Sequence, residues 1–215
     1  MVSPLPLQIK ELARSQHIIV AGLTGGVVLS PDDRLRRVTR AEAATTLTSI
    51  SSPILCHSPS VARRLKVSPF HALDVLELFA FTRPSYFCLP TPEGIAAVLN
   101  LQPPQTLEEQ ALSLRSVVEI LLCELKEFDL RDEPDALTIA RRMQDGGWGW
   151  GQIVTTCLKH LVPTNDTRQP HGGLDVWMRL QSWAEFGPEP PPESHGVSDS
   201  ETRTRLAKLV GEGAE

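Results

Sequence analysis

Residues 53–101 read PILCHSPSVARRLKVSPFHALDVLELFAFTRPSYFCLPTPEGIAAVLNL, and the order of apolar runs and capping residues within them decides the fold class. Pro53 to Cys56 is a short apolar run that predicts a buried strand, followed by a Cys56-His57 corner. Ser58 with Pro59 after it opens a helix reaching about Lys66, because Ser caps well and Pro suits the first helical turn. His71 to Val75 predicts a further strand that runs into a helix over Leu76 to Phe81. Thr91-Pro92-Glu93 starts another helix, through Asn100, by the same capping logic. Strands and helices alternating at this spacing make an α/β protein.

Working outward, His17 to Gly22, Gly26 to Ser30 and Leu35 to Thr39 read as three strands. Pro31-Asp32-Asp33 supplies turn chemistry between the last two, so the region predicts an antiparallel meander. Thr39 can cap a helix over Ala41 to Ser49, with Glu42 at the end where the helix dipole favours negative charge. Thr106 to Phe128 is the strongest helix: Leu107, Ala111, Leu114, Val118, Leu121, Leu122 and Leu125 form one apolar face, and Thr106 with Glu109 fits a capping box.

The composition shifts after Phe128. Asp135 to Gln144 and Gln152 to Leu161 read as two short helices around GGWGWG, residues 146–151. Pro163 to Gly173 reads as loop, and Leu174 to Phe186 as helix or turn carrying Trp177 and Trp183. PEPPPESHG, residues 188–196, cannot build a core and reads as a linker. Ser198 with Glu201 opens a last short helix. The expected division is an α/β domain over 1–128, a helical extension over 129–186, a Pro-rich linker over 187–197 and the start of a following domain over 198–215.

With 215 residues, 41% hydrophobic and 22% charged, the chain can bury a substantial core. A net charge of −5 argues against nucleic-acid binding over the whole surface and leaves room for a local basic patch. Cys56, Cys88, Cys123 and Cys157 lie far apart, without CxxC or Cys-His zinc spacing, so they read as reduced thiols behaving as small hydrophobes. The N-terminus, MVSPLPLQIKELARSQ, has prolines and charges where a signal peptide needs an apolar run. No stretch approaches the roughly 18 apolar residues that span a bilayer, so no membrane partner and a cytoplasmic location are expected.

The order of elements over residues 17–126 resembles the ribonuclease-H-like fold of the DnaQ-type 3′–5′ exonucleases. The resemblance implies a mixed sheet with flanking helices, and in that family carboxylates converge to hold two metal ions. The family's first motif, roughly Asp-Leu-Glu-Thr-Thr-Gly, falls on Ala21-Gly22-Leu23-Thr24-Gly25-Gly26, so Ala21 and Leu23 stand at acid positions. The second, His-Asn-x-x-Phe-Asp, falls on His57 to Ala62: the His survives and the acid is Ala62. Asp-Thr-Leu-Glu-Leu is close as Asp74-Val75-Leu76-Glu77-Leu78. The third motif falls on Glu109 to Leu114, with Leu114 at the acid position. Four apolar side chains cannot hold a divalent cation, so the resemblance implies no metal and no catalysis in this segment.

A second resemblance covers nearly the whole chain. HALDVLELFAFTRPSYFCLPTPEGIAAVLNL, GWGWG, GLDVWMRLQSW and the Pro-rich stretch before SETRTRLAKLVGEGAE look like the N-terminal region of alphaproteobacterial DinG-like ATP-dependent DNA helicases. There the helicase core follows directly, and no GxxxxGK[ST] phosphate loop occurs here. ATP and Mg²⁺ are thereby implied for a core lying beyond this segment, with single-stranded DNA and the protein's own helicase domain as partners.

Within the segment two groups of residues invite a nucleic-acid reading. Arg63, Arg64 and Lys66 form a small basic face that could touch phosphates or could be a solvated helix face. Trp148 and Trp150 could stack single-stranded bases or could pin a turn onto the core. His57 is a remnant catalytic residue or a hydrogen-bonded structural one. The competing functions are an active exonuclease recruiting acids such as Asp32, Asp33 or Asp74, and a protein-interaction module unrelated to DNA.

Overall fold

The computed structural model describes residues 14–128 and 136–161, with Glu11, Ser200, Arg203 and Thr204. The readings of 162–199 as loop, Trp-bearing helix and linker lie outside the described residues, as does most of the terminal helix. The chain divides into a unit over Met1–Trp183 and a second over Ala184–Glu215. All that follows concerns the first.

Five strands form one mixed sheet in the order β3-β2-β1-β4-β5. β1 (Ile18–Ala21), β2 (Gly25–Leu29) and β3 (Leu35–Thr39) are the expected antiparallel meander, with Ile18 opposite Leu29 and Ala21 opposite Gly26. β4 (Ile54–Leu55) and β5 (Leu73–Asp74) add in parallel on the other side of β1. The strand expected over His71 to Val75 shrinks to two residues because Asp74 already serves as N-cap of the next helix, its carboxylate accepting from Leu76 N–H at 3.1 Å.

Strand alternation sends side chains to opposite faces and so creates two cores. Ile19, Ala21, Val28, Val38 and Leu55 face one side. It is covered by α1 (Arg40–Ser49), through Ala43 and Leu47, and α2 (Ser58–Leu65), through Val61 and Leu65. Ile18, Val20, Val27, Leu29 and Ile54 face the other. Over them lie α3 (Val75–Thr82), α4 (Pro92–Val98) and α5 (Leu107–Glu127). α6 (Ala136–Asp145), α7 (Gly151–Cys157) and a 3-10 helix (Leu158–Leu161) complete the same core with Leu137, Ile139, Ile153, Val154 and Leu161.

The capping boxes form as their spacing requires, Thr106 with Glu109 on α5 and Thr39 with Glu42 on α1. α2 departs from expectation. Its N-cap residue is His57, at φ 61°, and no side chain of its own caps it. Asp74 caps it from the neighbouring strand, accepting from His57 N–H at 2.9 Å and Ser58 N–H at 2.6 Å. Among the described residues no helix is long and apolar enough to cross a membrane.

Candidate functional site

At the C-terminal end of β1 the chain turns through Gly22, Leu23 and Thr24 into β2, closed by Gly22 N–H donating to Gly25 O at 2.7 Å. Leu23 is 85% exposed at this turn. Two guanidinium groups approach the turn's carbonyls. Arg64, from α2, donates Nη1–H to Ala21 O at 2.8 Å. Arg40, from the start of α1, has Nη2 at 3.5 Å from Leu23 O, the outer limit of a hydrogen bond. Among the described residues no carboxylate forms an ion pair with Arg40, Arg63, Arg64 or Lys66. Arg37 on β3, by contrast, is paired with Glu108, and that hydrogen bond raises the Arg37 pKa and lowers that of Glu108.

The next corner belongs to His57 and Asp74. Asp74 is buried, and its carboxylate is engaged by three backbone N–H groups, those of His57, Ser58 and Leu76. His57 Nδ1 lies 2.7 Å from Ser60 Oγ. Both residues are therefore committed to fixing the corner between β4 and α2. Burial, with the Asp74 charge adding, drives the Cys56 thiol far up from its ordinary value.

Of the four expected ligand positions, the structure does not bring all together. Ala21 is buried in the core beneath α1 and α2, facing away from α5. The residue of this turn that meets α5 is Gly22, where an added Cβ would lie 2.9 Å from Leu107 Cδ1. Leu114 is fully buried two turns further along α5. Its neighbour Arg115 donates to Ser30 O at 3.1 Å, at the opposite end of the sheet. The α5 residue near the turn is thus Leu107, not Leu114. Ala62 lies within α2, half-buried. None of Ala21, Gly22, Leu23, Ala62, Leu107 or Leu114 offers a side-chain oxygen or nitrogen, so the donor set does not fit a divalent cation.

The acids of the alternative nuclease are also dispersed. Asp32 pairs with Arg34, and Asp33 pairs with Arg115, in the β2–β3 turn. That turn is separated from Ala21 by the length of β2, about 14 Å at 3.4 Å per residue. Asp74 sits at the end of β5, bound to backbone amides.

The two tryptophans separate into different roles. Trp150 is completely buried and donates Nε1–H to Asp74 O at 2.7 Å, so it pins the glycine-rich turn to β5 and has no face for a base. Trp148 is half-buried, tilted against Phe81 with ring centroids 5.1 Å apart, and donates Nε1–H to the Glu77 carboxylate at 3.1 Å. Packing around the Glu77 carboxyl, with the Asp74 charge behind it, raises its pKa. Beside this pair is an open cavity of about 390 Å³, lined among others by Ser58, Phe70, His71, Glu77, Gly147 and Trp148. Gly147 has φ 89°, and a Cβ on Gly149 would lie 2.6 Å from Ala72 O, so both glycines are required by this turn.

Fold and site define an α/β protein whose mixed five-stranded sheet has, at the C-terminal end of its central strand β1, two guanidinium groups that form no ion pair among the described residues. No family model matches the chain, and no curated protein or solved structure matches it. Of the basic face Arg63, Arg64 and Lys66, Arg64 is the residue seen to contact this turn; the sequence does not single out Arg40, and it names Glu77 only within Asp74 to Leu78. Arg40 is visible only through the β2–β3 register that carries it beside the β1–β2 turn, and Glu77 only through its contact with a tryptophan 71 residues away.

Proposed function

We propose that this chain is a non-catalytic accessory region of an ATP-dependent DNA helicase, a degenerate exonuclease-like domain that guides single-stranded DNA. The strand order, with three antiparallel strands followed by two parallel ones, is compatible with a ribonuclease-H-like arrangement. Leu23 in the β1–β2 turn and Leu107 beside it offer no metal donor, which supports loss of metal chemistry. The observation that carries the reading is the Arg64 guanidinium on Ala21 O, with Arg40 close to Leu23 O in the turn that follows.

A guanidinium has five N–H donors. One carbonyl engages only part of them, and the remainder can meet phosphate oxygens. Fixed cations at the strand end would attract a phosphodiester as metal ions do, yet they cannot generate a metal-bound hydroxide. Such a site binds a strand without cutting it.

The test is fluorescence anisotropy of a labelled oligothymidylate with the whole chain, titrated with salt. Binding should weaken steeply with salt, by a logarithmic slope of about −0.7 per phosphate contact. Arg40→Ala combined with Arg64→Ala should reduce both affinity and slope. Cleavage of the strand that requires Mg²⁺ or Mn²⁺ and is abolished by chelation would overturn the reading in favour of a nuclease. Absence of salt-sensitive binding would favour a protein-interaction module.

A further inference from the structure

The cavity beside Trp148 lies on the edge of the sheet where α2 and α3 begin, with Ser58 from the first turn of α2 and Glu77 from the first turn of α3 in its wall. At 390 Å³ it is large enough for one nucleoside. Its chemistry is uneven in an informative way. Trp148 and Phe70 supply aromatic surface, the glycine turn removes side chains that would fill the space, and the one carboxylate in the wall is Glu77. Glu77 accepts a single indole N–H and forms no ion pair among the described residues, so most of its acceptor capacity is open.

We infer that this cavity is a base pocket selective for guanine in a single strand. The proposal rests on the nucleic-acid reading above and assigns it a specificity. An unpaired base is recognised by stacking on an aromatic ring and by hydrogen bonds to its Watson–Crick edge. On that edge guanine alone presents two adjacent donors, N1–H and N2–H, which match the two oxygens of a carboxylate. Adenine and cytosine set a donor beside an acceptor, and thymine flanks its single N–H with two carbonyls. Each would aim at least one lone pair at Glu77 and so make fewer hydrogen bonds to it than guanine does. Trp148 therefore takes part twice, by its ring surface in the wall and by the indole N–H that fixes the Glu77 carboxylate.

Two measurements on the whole chain test this. In the first, dT oligonucleotides carrying one central dG, dI, dA or dC compete for binding. The dG strand should bind about tenfold more tightly than dA or dC, with dI between, because inosine lacks the N2 donors. Glu77→Gln, on an exposed side chain, should make the dG, dA and dC strands bind alike. In the second, guanosine, adenosine, cytidine and thymidine monophosphates are titrated while the Trp148 indole N–H resonance is followed, assigned through Trp148→Phe. Only the guanosine monophosphate should shift it, and Glu77→Gln should abolish the shift. Strand binding that depends on Arg64 but shows no guanine preference, or a preference that survives Glu77→Gln, overturns the pocket and leaves the broader reading standing. A guanosine-specific shift in a chain that binds no oligonucleotide would do the reverse.

Discussion

The Trp150 indole N–H donates to the backbone carbonyl of Asp74 at 2.7 Å, across 76 positions of sequence. It joins the glycine-rich turn before α7 to the residue that ends β5 and caps both α2 and α3. Trp150→Phe would keep most of the ring volume and leave that carbonyl without its donor, at a cost of about 1–3 kcal/mol. Trp150→Ala would add a large cavity and cost about 3–5 kcal/mol. Urea unfolding followed by circular dichroism distinguishes the two. Equal stabilities would mean that the turn is not seated on β5.

Asp74 should be among the least replaceable polar residues of the fold. Asp74→Ala strands the backbone amides of His57, Ser58 and Leu76 in a largely enclosed corner, a loss on the order of 3 kcal/mol or more. Asp74→Asn keeps one acceptor oxygen and should lose clearly less. The readout is again the unfolding midpoint, with amide exchange at Ser58 as a local probe. Unchanged exchange at Ser58 in the Ala variant would rule the capping role out.

The thiols of Cys157, buried, and Cys56, half-buried, should be chemically quiet. Burial pushes Cys157 up to about 12, and Cys56 is driven further in the same direction by burial and the Asp74 charge. At pH 8 neither carries appreciable thiolate, which is the reactive form. Alkylation by iodoacetamide, mapped by mass spectrometry, should therefore be slow at both positions in the native chain and become ordinary in denaturant. Because the folded thiols bind their protons more tightly than unfolded ones, their contribution to stability is complete below the ordinary thiol pKa. It declines as pH rises toward the shifted value.

Glu42 titrates in the opposite sense. The Thr39 backbone N–H and then its hydroxyl donate to the Glu42 carboxylate and lower its pKa. The capping box then contributes above the ordinary glutamate pKa and is lost as pH falls through the depressed one. Thr39→Ala, which removes the hydroxyl arm, should move the Glu42 carboxyl carbon titration part of the way back toward its ordinary midpoint. An unmoved midpoint would discard the box.

Local signals made much of the architecture readable. Thr39, Thr91 and Thr106 cap where their spacing says, and the apolar stripe of α5 is the face it buries. Legibility failed where a contact crosses the chain. Ser58 looked like a cap because the carboxylate that displaces it comes from 16 residues away. Trp148 and Trp150 are equivalent in a glycine-rich string, and only packing against Phe81 and Asp74 separates a half-buried ring from a wholly buried one. Ala21 and Leu114 were matched by motif spacing, which cannot tell which way a strand residue points or how far along a helix the sheet edge lies.

The Arg64 guanidinium on Ala21 O has one more consequence. A charge carried on a tethered side chain cannot be removed by a chelator, diluted, or exchanged for another ion. Whatever anion settles at that strand end competes only with dissolved salt and is indifferent to the supply of divalent metal. An anion held there as proposed would therefore be gripped alike with or without divalent metal.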